Sequence, residues 1–346
     1  MSRRENIIAG PCSADTKENL FEIVKQLYGI GIRKIRVGFW KPRTKPGGFE
    51  GIGEEGLMWL SELKNTYPGI QIATEVATAE HLEIAMRYGV DIPWIGARTT
   101  TDPFAIIDIA SALFNLPKKL KENKTLLIKN PVCPDLNLWE GAYLRLKDCG
   151  IKNIGFIHRG FKTYEEIKYR NNPVWKIPMQ LKLKYPDMKI YCDPSHIAGD
   201  KFYVEEVMKQ AKAFNFDGFI VETHIHPDEA LSDAAQQITP SKLDEFLTNL
   251  EAEVNVDNQD NSLMMYRTEI DEIDHSLLNL LSKRMEISKN IGTIKKEHQL
   301  KIFQPDRLKL MLEELKTLGK SKNLSPEFVE NIWMDIHDES IKVQKL

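Results

Sequence analysis

Short, continuous apolar runs alternate with segments of helical period through the first 225 residues. The eight runs are IIAGPCS, KIRVGF, QIATEV, PWIGAR, LLIKN, GFIHRG, IYCDPSH and FIVETH. A parallel strand covered on both faces reads as such a run, without the polar alternation of a half-exposed strand. Between them, TKENLFEIVKQLYG, EEGLMWLSELKNTY, AEHLEIAMRYG and VEEVMKQAKAFN carry apolar residues at helical spacing, most closed by Gly or an aromatic-Gly turn. Eight βα units within about 250 residues predict an α/β fold, a (β/α)8 TIM barrel over residues 1–250. The rival, an open doubly wound sheet, would gather its ligand behind a Gly-rich turn, and no GxGxxG follows any run.

The pattern changes after the expected last barrel helix, SKLDEFLTNLEAE. Residues 251–262, with NVDNQDNS, are polar and acidic and read as a linker. Residues 263–346 predict a small all-α domain of three helices, the third starting at Ser325-Pro326. At about 100° per residue, Ile270, Ile273, Leu277, Leu280, Leu281, Ile287, Ile291 and Ile294 form one stripe on the first helix. Arg284 and Lys295 lie within that stripe, about 20° apart, whereas Arg267 lies roughly 100° from both. A long helix cannot hide such a stripe against two shorter ones alone, so the expected assembly is a homo-oligomer, at least a dimer through this domain. The partner would then supply Arg267.

Composition narrows the class. The 346 residues are 42% hydrophobic with a net charge of -3, ordinary globular material with no tail for nucleic acid. No secretory h-region opens the chain, and no apolar stretch approaches the ~20 residues of a membrane span. Cys12, Cys133, Cys149 and Cys192 show no CxxC spacing. Reduced thiols in the cytoplasm are therefore expected, with no nucleic-acid or membrane partner.

Each apolar run ends in a chemically useful side chain: Cys12, Arg36, Glu75, Arg98, Lys129, Arg159, His196 and Glu222. In a barrel these strand ends face one mouth. A thiolate, an imidazole and two carboxylates, from Cys12, His196, Glu222 and Asp233, suit one divalent ion of the Mn, Co, Fe or Zn type better than Mg or Ca. Taken singly, a Cys flanked by apolar residues is more often core, and an Asp in ALSDAAQQ more often a helix cap. Glu75 reads as a structural salt bridge. Arg36, Lys41, Arg43, Arg98, Lys129 and Arg159 are costly beside apolar strands unless an anion meets them, which implies substrates rich in phosphate and carboxylate.

The segments AGPCS, IRVGFWKPRT, GART, LLIKNP, FIHRG, DPSH, VETH and ALSDAAQQ resemble the type I 3-deoxy-D-arabino-heptulosonate 7-phosphate (DAHP) synthases. That resemblance implies metal ligation by Cys12, His196, Glu222 and Asp233. It implies phosphoenolpyruvate binding by Arg36, Lys41, Arg98, Lys129 and Arg159, and erythrose 4-phosphate binding by Lys41, Pro42, Arg43 and Thr44. The metal would polarise the sugar aldehyde for attack by the enol carbon, after which water adds and phosphate leaves. Lys129, Lys41 or a water relayed through His196 or Glu222 are the candidate proton carriers. The related 3-deoxy-D-manno-octulosonate 8-phosphate synthases typically carry an ANRTS-type segment where this chain has Pro42-Arg43-Thr44, so the four-carbon sugar is favoured.

The spacing of Arg267, Arg284, Lys295 and Arg307, with the ending DESIKVQ, resembles the all-helical AroQ-class chorismate mutases. The resemblance implies that Arg267, Arg284 and Arg307 bind the carboxylates of chorismate, and that Lys295 and Gln344 bind its ether oxygen. Ser340 belongs to the same matching set. The family's usual Glu after the second-helix Arg is replaced here by Leu308, with Gln304 one turn earlier as a substitute. The expected protein is a bifunctional enzyme of aromatic amino acid biosynthesis, with feedback by chorismate or prephenate bound to the helical domain. The alternatives are a weakly active or purely sensing or dimerising helical domain, and octulosonate phosphate synthesis by the barrel.

Overall fold

The computed structural model describes residues 3–41, 47–164, 167–252 and 261–345. Eight parallel strands close into a barrel in sequence order: β1 (Ile7–Gly10), β2 (Lys34–Arg36), β3 (Gln71–Val76), β4 (Ile92–Ile95), β5 (Thr125–Lys129), β6 (Asn153–His158), β7 (Ile190–Cys192) and β8 (Gly218–Glu222). Closure comes from β1 pairing with β8, Ile8 opposite Ile220 and Gly10 opposite Glu222. Successive strand residues point to opposite faces, and this divides the apolar runs into two cores. Ile8, Ala73, Ile92, Trp94, Leu127, Ile157, Tyr191 and Ile220 form one buried cluster, filling the barrel. Their neighbours, such as Ala9, Ile72, Ile95, Ile128, Phe156 and Val221, join the larger cluster beneath the helices.

The helices between the strands are α1 (Lys17–Gly29), α2 (Glu54–Leu57), α3 (Leu60–Thr66), α4 (Ala79–Arg87), α5 (Ala97–Thr100), α6 (Pro103–Asn115), α7 (Lys118–Lys121), α8 (Leu136–Leu146), α9 (Lys176–Lys184), α10 (Pro194–Ala198) and α11 (Val204–Ala213). α12 (Pro240–Ala252) follows the last strand. Local chemistry starts several of them: Thr16, Thr78 and Asp135 cap α1, α4 and α8, and Asp102 with Pro103 opens α6. The single helix expected over EEGLMWLSELKNTY is broken into α2 and α3. At the break Met58 and Trp59 donate to Glu55 and Gly56, the tighter i→i+3 pattern of a 3-10 turn.

The chain divides into two compact units, Met1–Asn255 and Val256–Leu346. The expected linker falls mainly on residues 253–260, outside the described residues. The second unit holds α13 (Asn261–Glu297), α14 (Pro305–Ser321) and α15 (Pro326–Gln344), with α15 packed on both others. Ser325 starts α15 as anticipated, its hydroxyl accepting from the Phe328 amide. The apolar stripe on α13 divides into two flanks. Leu281, Arg284, Met285, Ser288, Gly292 and Lys295 are buried or half-buried, whereas Leu280, at 64% exposure, and Ile287, at 53%, face outward with Ile273, Ile291 and Ile294. Gly292 permits close approach to α15, since a Cβ there would lie 2.8 Å from the Gln344 Cα. Among the described residues, no helix is long and apolar enough to cross a membrane.

Candidate functional site

A cavity of about 490 Å³ opens at the carboxyl ends of the strands. Lys129 ends β5, Arg159 follows β6, Arg98 sits on the one-turn helix after β4, and His196 on the short helix after β7. With Lys41, Lys162 and Arg170 they line the cavity, opposed there by Glu75 and Asp233. Arg36 and Lys129 lie over the Trp94 ring, 5.3 and 5.6 Å from its centroid. The Trp94 indole N–H donates to Glu75 at 3.1 Å. Arg159 is pushed down to about 10 by burial and, against the pull of Asp193, by the cations Arg170 and Arg98. Cations that destabilise one another in this way are arranged to receive an anion.

Next to the cavity, ligand atoms of Cys12, Glu222 and Asp233 lie within 4.8 Å of one another. Cys12 follows β1 and reaches this point because Gly38 leaves room; a Cβ at Gly38 would lie 2.1 Å from the Cys12 carbonyl oxygen. Cys12 Sγ stands 3.3 Å from Asp233 Oδ2, and the Cys12 amide donates to Gln237 at 3.2 Å. Glu222 meets Arg36 at 3.0 Å and is approached by His196 Nε2 at 3.8 Å. His196 thus borders the cluster rather than sitting within it. Asp233 adopts a left-handed backbone (φ 48°) and does not use its side chain as the helix cap its local sequence suggests.

The donor set fits a transition ion. Burial and the Glu222 carboxylate push the Cys12 thiol far above its usual range, whereas Arg36 and Lys41 hold Glu222, and Lys41 and Arg170 hold Asp233, below theirs against the effect of burial, so the thiolate is the one ligand whose charge the pocket opposes. A divalent cation would relieve that cost and turn the thiol into a thiolate ligand. Burial lowers His196, outweighing Asp193, and keeps the imidazole neutral as ligation requires. Asp193 Oδ2 lies 2.8 Å from His196 Nδ1, which leaves Nε2 for the cluster. Lys41, 3.4 Å from Asp233, is raised above the usual lysine value because Cys12, Glu222 and Asp233 outweigh its burial.

Several contributors escaped the sequence reading. Asp193 ion-pairs Lys129 at 2.9 Å and lies 2.8 Å from His196 Nδ1, and its place directly after β7 was a usable signal. Arg170 and Asn171 come from an irregular segment with no periodicity to mark them. Lys162 gave no strand-end signal either. Pro42, Arg43 and Thr44 lie outside the described residues. In the second unit, Lys295 Nζ donates to Gln344 Oε1 at 3.1 Å and to the Ile302 carbonyl at 2.7 Å. Arg284 donates to the Ser340 hydroxyl. Gln304 caps α14 by position and Arg307 follows in its first turn, exposed. Arg267 falls on α13, with its side chain outside the described residues.

Comparison with known proteins agrees with this division. Residues 266–345 match the family model for chorismate mutase type II. Phospho-2-dehydro-3-deoxyheptonate aldolase of Thermotoga maritima is 32% identical over 232 residues, 67% of this chain and 64% of that protein. The chain therefore spans less than two thirds of that relative's length. The 2-dehydro-3-deoxyphosphooctonate aldolase of Helicobacter pylori is 25% identical over 271 residues, 70% of this chain and 93% of that protein. The bifunctional chorismate mutase/prephenate dehydratase of Buchnera aphidicola is 35% identical over 85 residues, 25% of this chain and 22% of that protein. The solved structure of the Thermotoga maritima DAHP synthase superposes with a TM-score of 0.63 at 28% identity, covering 72% of this chain and 69% of that one. Residues 2–257 match the family model described as DAHP synthetase I, and the chain belongs to that family.

Proposed function

We propose that the barrel condenses phosphoenolpyruvate with erythrose 4-phosphate to DAHP and phosphate, and that the helical unit rearranges chorismate to prephenate. The observation that carries the first half is the juxtaposition of a cation-lined cavity with the Cys12, Glu222 and Asp233 cluster. Arg36, Lys41, Arg98, Lys129 and Arg159 hold phosphoenolpyruvate, and Lys41 with Pro42, Arg43 and Thr44 receives the sugar phosphate. Cys12, His196, Glu222 and Asp233 hold the divalent ion, which when bound supplies Lewis acidity towards the aldehyde oxygen. A carbon-carbon bond forms between the enol methylene and the aldehyde carbon, water adds to the former enol carbon, and its bond to the phosphate oxygen breaks. Lys41, kept protonated by its anionic neighbours, is suited to give a proton to the developing alkoxide. Lys129 and a water relayed through His196 or Glu222 remain the other carriers.

In the helical unit, Lys295 and Gln344 receive the ether oxygen, and Arg267, Arg284 and Arg307 take the carboxylates. Gln304 stands in for the acidic group replaced by Leu308, and Ser340 orients Arg284. Pericyclic rearrangement needs only a held conformer and stabilised charge on the breaking C–O bond. The outward apolar flank of α13 suits a second copy of this chain, whose Arg267 completes the site. Chorismate or prephenate bound to this helical domain feeds back on the barrel. A cytoplasmic protein working on small molecules accounts for all these features.

Product and phosphate release with erythrose 4-phosphate or arabinose 5-phosphate tests the barrel, and preference for the five-carbon sugar would overturn the substrate assignment. Leu308 favours a second reading, a helical unit that only senses ligand. Chorismate turnover no faster than the uncatalysed rate would establish that second reading in place of mutase activity.

A further inference from the structure

Two adjacent residues, Arg170 and Asn171, tie the proposed metal ligands to the phosphoenolpyruvate side of the cavity. Asp233 turns Oδ2 towards Cys12, while its Oδ1 accepts from Arg170 at 3.0 Å. The same guanidinium nitrogen donates to Gln236 Oε1 at 2.8 Å. A guanidinium can only donate, so Gln236 must present its oxygen to Arg170 and its amide nitrogen elsewhere. That nitrogen donates to Glu222 Oε2 at 2.6 Å. Arg170 therefore orients one carboxylate directly and a second through one amide.

Asn171 works in the same way on the other two elements. Its Oδ1 accepts from Arg159 at 2.9 Å, and its Nδ2 donates to the backbone oxygen of His196 at 2.6 Å. The backbone holds both residues against α10: the Arg170 amide donates to Ala198 and the Asn171 amide to Ile197, at 3.1 and 3.2 Å. Gly199 makes this approach possible, because a Cβ there would lie 2.3 Å from the Arg170 Cβ.

We propose that Arg170 and Asn171 are positioning residues that set the orientation of Asp233, Glu222 and the His196 helix together with Arg159, so that metal affinity and phosphoenolpyruvate affinity depend on one two-residue hub. This rests on the metal-dependent reading of the barrel. It is tested on metal-stripped full-length protein by calorimetric titration with Mn²⁺, alongside KM for phosphoenolpyruvate and a thermal unfolding curve for each variant. Arg170→Ala is expected to weaken Mn²⁺ binding by about 10- to 100-fold, the usual range for partners of metal ligands. Arg170→Lys should recover part of this, since it keeps a cation directed at Asp233 on a shorter and more flexible side chain. Asn171→Ala should weaken Mn²⁺ binding and also raise KM for phosphoenolpyruvate. If Arg170→Ala does not fold, Gln236→Leu removes only the relay to Glu222 and should still weaken the metal. Folded variants whose Mn²⁺ affinity and KM both stay within twofold of wild type would overturn the proposal. A wild type that neither binds Mn²⁺ nor consumes phosphoenolpyruvate would instead overturn the functional reading on which it rests.

Discussion

The barrel and the helical unit hold their charged groups in opposite ways. In the barrel, Arg36, Lys129, Asp193 and Glu222 are at most 3% exposed, and each meets an oppositely charged group from another strand end. In the helical unit, Arg284 and Lys295 are half-buried, Arg307 is exposed, and a flank of large apolar side chains faces outward. A buried ion network must be complete within its own fold, because removing one partner strands a charge at a cost of about 3–5 kcal/mol. A site on a three-helix hairpin can be left open until a second copy arrives. On the function proposed above, one centre is set by the closure of a sheet and the other is completed by association.

The contrast is sharpest if the two halves can be silenced separately. Cys12→Ser should lower condensation by more than about a hundredfold, beyond the loss typical for partners of metal ligands, while chorismate turnover persists. Parallel assays of both reactions on one preparation decide this, and joint loss would make the sites interdependent. Lys295→Ala is the converse, expected to lower chorismate kcat/KM by about 10²–10³ while unliganded condensation is retained.

Acid should distinguish the two folds by a smaller margin. His158 is enclosed by Trp139, Phe161, Trp175 and Phe216, and burial pushes it down to about 3. The unfolded chain takes up this proton below about pH 6.5, and the folded barrel does not until about pH 3, so stability falls as pH drops through that window. Wild type should lose about 2 kcal/mol more barrel stability than His158→Phe between pH 7 and pH 5, read from urea unfolding of the barrel. An equal loss in both proteins would assign the acid sensitivity elsewhere. The smallest effect is reserved for Gln304→Ala, expected to reduce chorismate kcat/KM by roughly fivefold, about 1 kcal/mol for one neutral hydrogen bond. No change would remove Gln304 from the site.

Much of the barrel was legible because strand ends announce themselves. A buried parallel strand must be apolar, so Lys129 or Glu222 at its end stands out against the run that precedes it. Asp193 gave the same signal but was read as part of a motif rather than as a charge partner. Arg170 and Asn171 gave none, since an irregular segment has no period from which a direction can be inferred. On α13 the helical period located the stripe but could not divide it. Ile287 and Ser288 are neighbours in sequence, yet the serine is buried and the isoleucine is exposed.

The order of apolar runs and helical segments by itself determined an eight-unit α/β architecture followed by three helices, because backbone hydrogen bonding and burial allow few other uses of that pattern. It also identified the side chains at the strand ends. Tertiary structure alone decided which oxygen of Asp233 faces Cys12, which face of α13 meets α15, and how Arg170 joins two carboxylates. Those outcomes depend on distances between segments far apart in the chain, and periodicity along one segment carries no information about them.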